Sequence, residues 1–156
     1  MSKKYINDEQ FAEIREDQLP WIEKYRPTDI DDIIFTKEMK HTIDIMVKNN
    51  EIPCLLLTGP PGTGKTSTIR ALANVLYGKY YNDCVLEINA SDDRGIKIIV
   101  DSIKPFCKTK INYTEKDRQK RKLFEKKLLI LDEADNLLKK AQSEIVKEMD
   151  FYSDKI

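Results

Sequence analysis

The chain predicts an α/β fold, a parallel sheet flanked by helices, on two observations. Three short apolar runs, Cys54–Thr58, Val85–Ile88 and Leu128–Leu131, alternate with segments of helical period, the pattern of strands buried on both faces and joined by right-handed crossovers. The first run opens into a Gly/Pro-rich loop and the third ends in two acids, Asp132 and Glu133. Both features therefore lie beyond the carboxyl ends of strands, where such sheets bind ligands.

In chain order, residues 1–18 are polar and lightly acidic, support at most a short helix around Asp8–Glu16, and read as a flexible lead-in. Leu19–Pro27 holds the only Trp and two prolines and predicts an ordered loop, too irregular for a helix or strand. Thr28 with Asp31 starts a helix ahead of Ile33, Ile34 and Phe35, and Thr36 caps a second carrying Met39, Ile43, Met46 and Val47 toward the core. After the first strand, Ser67–Tyr77 carries Ile69, Leu72, Ala73 and Leu76 on one helical face and ends near Gly78. Beyond the second strand, Asn89–Gly95 is a turn and cap for a helix of Ile96, Ile99, Val100 and Ile103, stopped by Pro105. Lys108–Lys127 is rich in Lys and Arg and reads as a solvated, mobile loop or a partly helical excursion. A last helix after the third strand presents Ala141, Ile145, Met149 and Tyr152.

Gly59-Pro60-Pro61-Gly62-Thr63-Gly64-Lys65-Thr66, ahead of Ser67, is a phosphate cradle. Its inner glycines let successive backbone N–H groups converge on phosphate oxygens, Lys65 reaches the β/γ-phosphates, the Thr66 hydroxyl ligates Mg²⁺, and the helix offers its positive end. The expected ligand is a nucleoside triphosphate. Asp132 would hold Mg²⁺ through water and Glu133 would polarise the water attacking the γ-phosphate, which makes Lys65, Asp132 and Glu133 the candidate catalytic residues. The bland alternatives are a turn at the loop and a helix cap at the acids. The coincidence of the glycines, the Lys-Thr pair and the strand–loop–helix setting outweighs a mere turn. The cap reading matches the catalytic one while the acids are taken alone and is outweighed once the loop stands beside them.

At 156 residues the chain is one domain's worth, and 27 basic residues cancel 27 acidic ones, so binding to nucleic acid needs a local patch. Cys54, Cys84 and Cys107 form no CxxC pair, and His41 stands alone, so neither zinc nor a disulfide framework is expected. Cys54 and Cys84 each open an apolar run and read as small buried hydrophobes. No apolar stretch approaches the roughly eighteen residues of a membrane span, and the start Met1-Ser2-Lys3-Lys4-Tyr5 lacks a signal peptide's apolar core. A soluble intracellular protein with no membrane partner is expected.

Three stretches besides the nucleotide motifs, Leu19-Pro-Trp-Ile-Glu-Lys-Tyr-Arg-Pro27, Leu86-Glu-Ile-Asn-Ala-Ser-Asp-Asp-Arg-Gly-Ile96 and Leu129-Ile-Leu-Asp-Glu-Ala-Asp135, resemble the small subunits of replication factor C, AAA+ ATPases of the sliding-clamp loader. The resemblance runs from about Leu19 to the end and is nearest to eukaryotic members. It implies ATP and Mg²⁺ as cofactors, with Ile22, Tyr25 and Arg26 near the adenine and phosphates beside Gly59, Pro60, Pro61, Gly62, Thr63, Gly64, Lys65, Thr66 and Ser67. It implies that Arg94 and Lys97 face primer–template DNA, by phosphate contacts and not base edges. The implied partners are the other clamp-loader subunits of a hetero-pentamer and the sliding clamp, and the implied location is the nucleus.

Family members go on to a sensor-1 strand, a Ser-Arg-Cys motif, a helical lid and a collar, none of which this sequence contains. Residues 19–156 are thus expected to be an incomplete AAA+ nucleotide-binding domain, truncated before the sensor-1 strand, with the basic loop at 108–127. Since the family places that strand between those of Leu55 and Leu129, the sheet would lack its middle, leaving the chain marginally folded and slow or inactive as an ATPase. Ile34-Phe35-Thr36 stands where the family has a Gly-containing turn, and the basic segment is longer than usual. Two other functions compete: a truncated product that binds nucleotide weakly or serves only as an interaction fragment, and a nucleotide kinase. The kinase class needs an Arg-rich lid and does not call for Glu133.

Overall fold

The computed structural model describes residues 20–49, 51–92, 95–115, 117, 124–153 and 156; the short helix expected around Asp8–Glu16 lies outside them. Part of the loop expected over Leu19–Pro27 is helical. Trp21–Lys24 forms a single helical turn, α1, whose Glu23 and Lys24 N–H groups both donate to the Pro20 carbonyl at 2.9 Å. Proline's fixed φ suits the entry to a helix, a local effect that hydrophobic periodicity cannot register. The helix expected from Thr28 is a 3₁₀ turn, Ile30–Asp32, capped by Asp29 rather than Thr28. It ends in extended backbone at Ile33, so Ile30 is buried, Ile33 and Phe35 pack against the core only partly buried, and Ile34 is 100% exposed. Helix α2, Lys37–Asn49, begins as expected, with the Met39 N–H donating to Thr36 Oγ1 at 3.3 Å and Ile43 buried.

Helix α3, Lys65–Tyr77, is the centrepiece of one core, burying Leu72, Leu76 and Tyr77 and ending at Gly78, whose φ of 53° a side chain would resist. A 3₁₀ turn, Gly78–Tyr80, and the single helical turn α4, Tyr81–Cys84, carry the chain into β1, Val85–Asn89. β1 pairs in parallel with β2, Leu128–Asp132, in the register Val85 to Leu128 through Asn89 to Asp132. The two-residue period of a strand splits the pair between two cores. Val85, Leu128 and Ile130 join Leu72, Tyr77 and Phe124 on the α3 side, while Leu86, Ile88, Leu129 and Leu131 join Ile99, Ile103 and Ile145 on the other.

The second core is roofed by a π-helical turn, Ile99–Ile103, that runs into α5, Lys104–Lys108, and by α6, Lys139–Phe151, which buries Ala141 and Ile145 as expected. Pro105 does not stop the helix. It lies in the first turn of α5, directly after the π-helical turn, and that widened turn gives the ring room. Ile96 and Val100, expected on the apolar face, are exposed, while Ile99 and Ile103 are buried.

The described parts of 108–127 are anchored rather than free. Tyr80 and Tyr113 meet edge to face, the Tyr113 hydroxyl donates to the Phe124 carbonyl, and Phe124 is buried against Tyr77. The carboxyl of Asp117 is held well below the usual range by hydrogen bonds from Lys79, Thr114 and Tyr80. Lys127, only 4% exposed, donates to the Phe106 carbonyl at 2.8 Å and to the Thr109 hydroxyl. A charge-rich composition concealed these anchors because each depends on one aromatic or one paired ion.

The clearest departure is Cys54–Thr58. Among the described residues the sheet has two strands, and this run is in neither; Leu56 is 85% exposed and Cys54 lies at the surface. A parallel strand needs a ladder partner, and in the order that the resemblance implies neither β1 nor β2 is its neighbour. The three cysteines consequently differ. Cys84 and Cys107 are fully buried, and burial pushes the Cys84 thiol above its ordinary range. A thiol-reactive dye is expected to modify Cys54 rapidly and the other two only at the rate of unfolding. Three equally fast cysteines would contradict the packing described.

Candidate nucleotide-binding site

The phosphate loop bends where three glycines adopt positive φ, Gly59 at 149°, Gly62 at 77° and Gly64 at 81°. An added Cβ at Gly62 or Gly64 would meet nothing within 4 Å, so the loop's hollow is open to a ligand that approaches the backbone. Thr63 Oγ1 donates to the Pro60 carbonyl at 2.9 Å, which closes the turn through Pro61. The Lys65 ammonium bridges the carbonyls of Gly59 and Pro60 at 2.9 and 2.8 Å. An ammonium carries three N–H bonds, so one is left for a phosphate oxygen.

Thr66 is the second residue of α3, and its hydroxyl donates to Asp132 Oδ2 at 3.1 Å across 66 residues of sequence. Asp132 is the last residue of β2, and its other oxygen accepts from the Glu133 N–H at 3.1 Å. These are hard oxygen donors of the kind Mg²⁺ takes, usually one or two carboxylates with phosphates completing the shell. The residues therefore fit the ion. Glu133 precedes the 3₁₀ turn Ala134–Asn136 without a side-chain capping bond, and α6 is entered at Leu138 rather than at the acids.

Glu133 is the one non-glycine residue with positive φ among those described, at 51°. Left-handed backbone costs a residue with a Cβ on the order of 1–2 kcal/mol and is tolerated mainly where the surroundings impose it. The exposed carboxylate accepts from Asn136 Nδ2 at 3.3 Å.

The aromatic stretch converges on the same place in part. Arg26 NH1 lies 3.4 Å from the Ser67 hydroxyl, in the first turn of α3. Tyr25 is 72% exposed with the Lys24 ammonium 5.8 Å from its ring centre, and Ile22 sits within α1. Lys97 is exposed at the start of the helical segment that follows Gly95 and Ile96, and Arg94 falls outside the described residues.

Sequence reasoning missed Glu23, Arg70 and Glu87, which join Arg26 in one charged cluster. Glu87 was the available signal, a carboxylate inside an otherwise apolar strand run. Its period places it on the Val85 face, toward α3 and Arg70.

The family model for ATPases associated with various cellular activities matches residues 55–155. The chain is 44% identical over 137 residues to the probable replication factor C subunit 5 of Dictyostelium discoideum, covering 88% of this chain and 38% of that protein. It is 45% identical over 139 residues to replication factor C subunit 3 of Saccharomyces cerevisiae, again covering 88% and 38%. To replication factor C subunit 5 of Arabidopsis thaliana it is 44% identical over 134 residues, covering 86% and 34%. The chain thus spans less than two fifths of the length of these relatives. No described helix is long and apolar enough to cross a membrane. The chain, with its phosphate loop, Thr66–Asp132 pair and parallel strands, belongs to the family of ATPases associated with various cellular activities and is similar within it to replication factor C small subunits.

Proposed function

We propose that the chain is the ATP-binding portion of a clamp-loader subunit, which couples ATP binding and hydrolysis to placing a sliding clamp on primed DNA during replication. The observation that carries this reading is the Thr66–Asp132 hydrogen bond, which brings the end of the phosphate loop and the end of β2 to one point. Backbone N–H groups of the loop and of α3 would bind the phosphates, with Lys65 contributing its charge. Thr66 and Asp132 would hold Mg²⁺, which offsets phosphate charge when bound. Glu133 would accept hydrogen bonds from the attacking water and orient it, and Arg26 would approach from the Ser67 side.

The partners in this reading are sister subunits of a hetero-pentamer, the clamp and primer–template DNA, met in the nucleus, with Lys97 and Arg94 on the DNA side. A second reading is favoured by Leu55–Leu57, which lie in no strand: a short chain binding nucleotide weakly and acting as an interaction fragment.

Titration with a fluorescent ATP analogue separates the two. Saturable binding that strengthens with Mg²⁺, and an Asp132→Ala variant that binds with no Mg²⁺ dependence, are expected. No binding by the unsubstituted chain would remove the nucleotide reading altogether.

A further inference from the structure

Three elements distant in sequence meet through four charged side chains beside the phosphate loop. Arg70 on α3 grips Glu87 of β1 with two nitrogens, its Nε lying 2.8 and 2.9 Å from the two carboxylate oxygens, and extends NH1 to Glu23 Oε1 at 3.1 Å. Glu23 in turn accepts from Arg26 Nε at 3.2 and 3.1 Å and from NH2 at 2.8 Å. That leaves Arg26 NH1 directed at the Ser67 hydroxyl. Hydrogen bonding from Arg26, aided by the Arg70 charge, holds the Glu23 carboxyl below its ordinary value.

The side chains are 25–39% exposed, and ion pairs this wet contribute little to folding. Their geometry does something more specific. A bidentate Arg–carboxylate grip fixes direction as well as distance, so Glu87 sets Arg70, Arg70 sets Glu23, and Glu23 sets the plane of the Arg26 guanidinium. Alone, Arg26 on its short turn would sample many rotamers and pay the ordering entropy on each binding event.

We propose that Arg70 and Glu87 are positioning residues for the nucleotide, acting through Glu23 to present Arg26 to the phosphates. This rests on the nucleotide reading above. Neither residue touches the ligand, and their effect runs only through Arg26.

The test is a double-mutant cycle on the full chain, reading the Kd of a fluorescent ATP analogue with Mg²⁺ beside the thermal melt. Arg26→Ala and Arg70→Ala are each expected to weaken binding about tenfold, and the double variant about tenfold as well rather than the hundredfold of independent sites. Glu87→Gln, isosteric and mild, is expected to weaken binding severalfold with little change in melting. The exchange Arg70→Glu with Glu87→Arg restores the α3–β1 ion pair but sets a carboxylate against Glu23; stability should recover while affinity does not. Additive losses, or an exchange variant that regains affinity, would overturn the proposal. Absence of binding by the unsubstituted chain would instead sink the nucleotide reading on which it stands.

Discussion

Lys65→Ala is expected to weaken binding of an ATP analogue about a hundredfold while leaving the fold in place. A hydrogen bond to a charged group contributes about 1.5–3 kcal/mol, and each 1.4 kcal/mol is about a tenfold change in Kd. One such bond to a phosphate oxygen, near the upper end of that range, gives the expected size. The fold is spared because Lys65 bridges only the carbonyls of Gly59 and Pro60 in an exposed loop, where water can replace it. Isothermal titration beside a thermal melt checks both halves. Unchanged affinity would place the phosphates somewhere other than this loop.

The second large effect is on stability. Leu72→Ala should cost about 2–5 kcal/mol, the range for emptying a packed aliphatic site. Leu72 is 2% exposed in the middle of α3, in the core that also holds Ile43, Tyr77 and Ile130. Domains of this size have only about 5–15 kcal/mol to lose. With Leu55–Leu57 outside the sheet and β1 pairing only β2 among the described residues, the starting value should lie low in that range. The variant is therefore expected to be largely unfolded at 37 °C, whereas Val146→Ala, on the exposed face of α6, should change stability by less than about 0.5 kcal/mol. Urea melts of the two variants give the comparison. Equal, small effects would mean that α3 does not carry the core.

The site was more legible than the surface around it. The loop could be read because a tight turn over phosphate demands glycines at fixed places, and Gly62 and Gly64 do adopt positive φ. Strands β1 and β2 were legible as apolar runs. The same rule failed at Cys54–Thr58, whose composition is equally strand-like, because pairing is decided by what lies beside a segment and not by what is in it. Ile34 and Val100 misled for a related reason. Helical period assigns a face only where the helix extends regularly, and a short 3₁₀ turn at Ile30–Asp32 and a π-turn at Ile99–Ile103 shift the face that meets the core.

By itself the sequence determined the local chemistry: a phosphate loop with Lys65 and Thr66, two acids ending an apolar run, and helices α2, α3 and α6, since each depends on residues within a few positions of one another. Only the tertiary structure decided the 3.1 Å meeting of Thr66 with Asp132, the chain of charge from Glu87 to Arg26, and the exclusion of Leu55–Leu57 from the sheet. Those depend on which elements become neighbours, and neighbourhood is set by packing the two faces of the β1–β2 pair, which is written in no single segment.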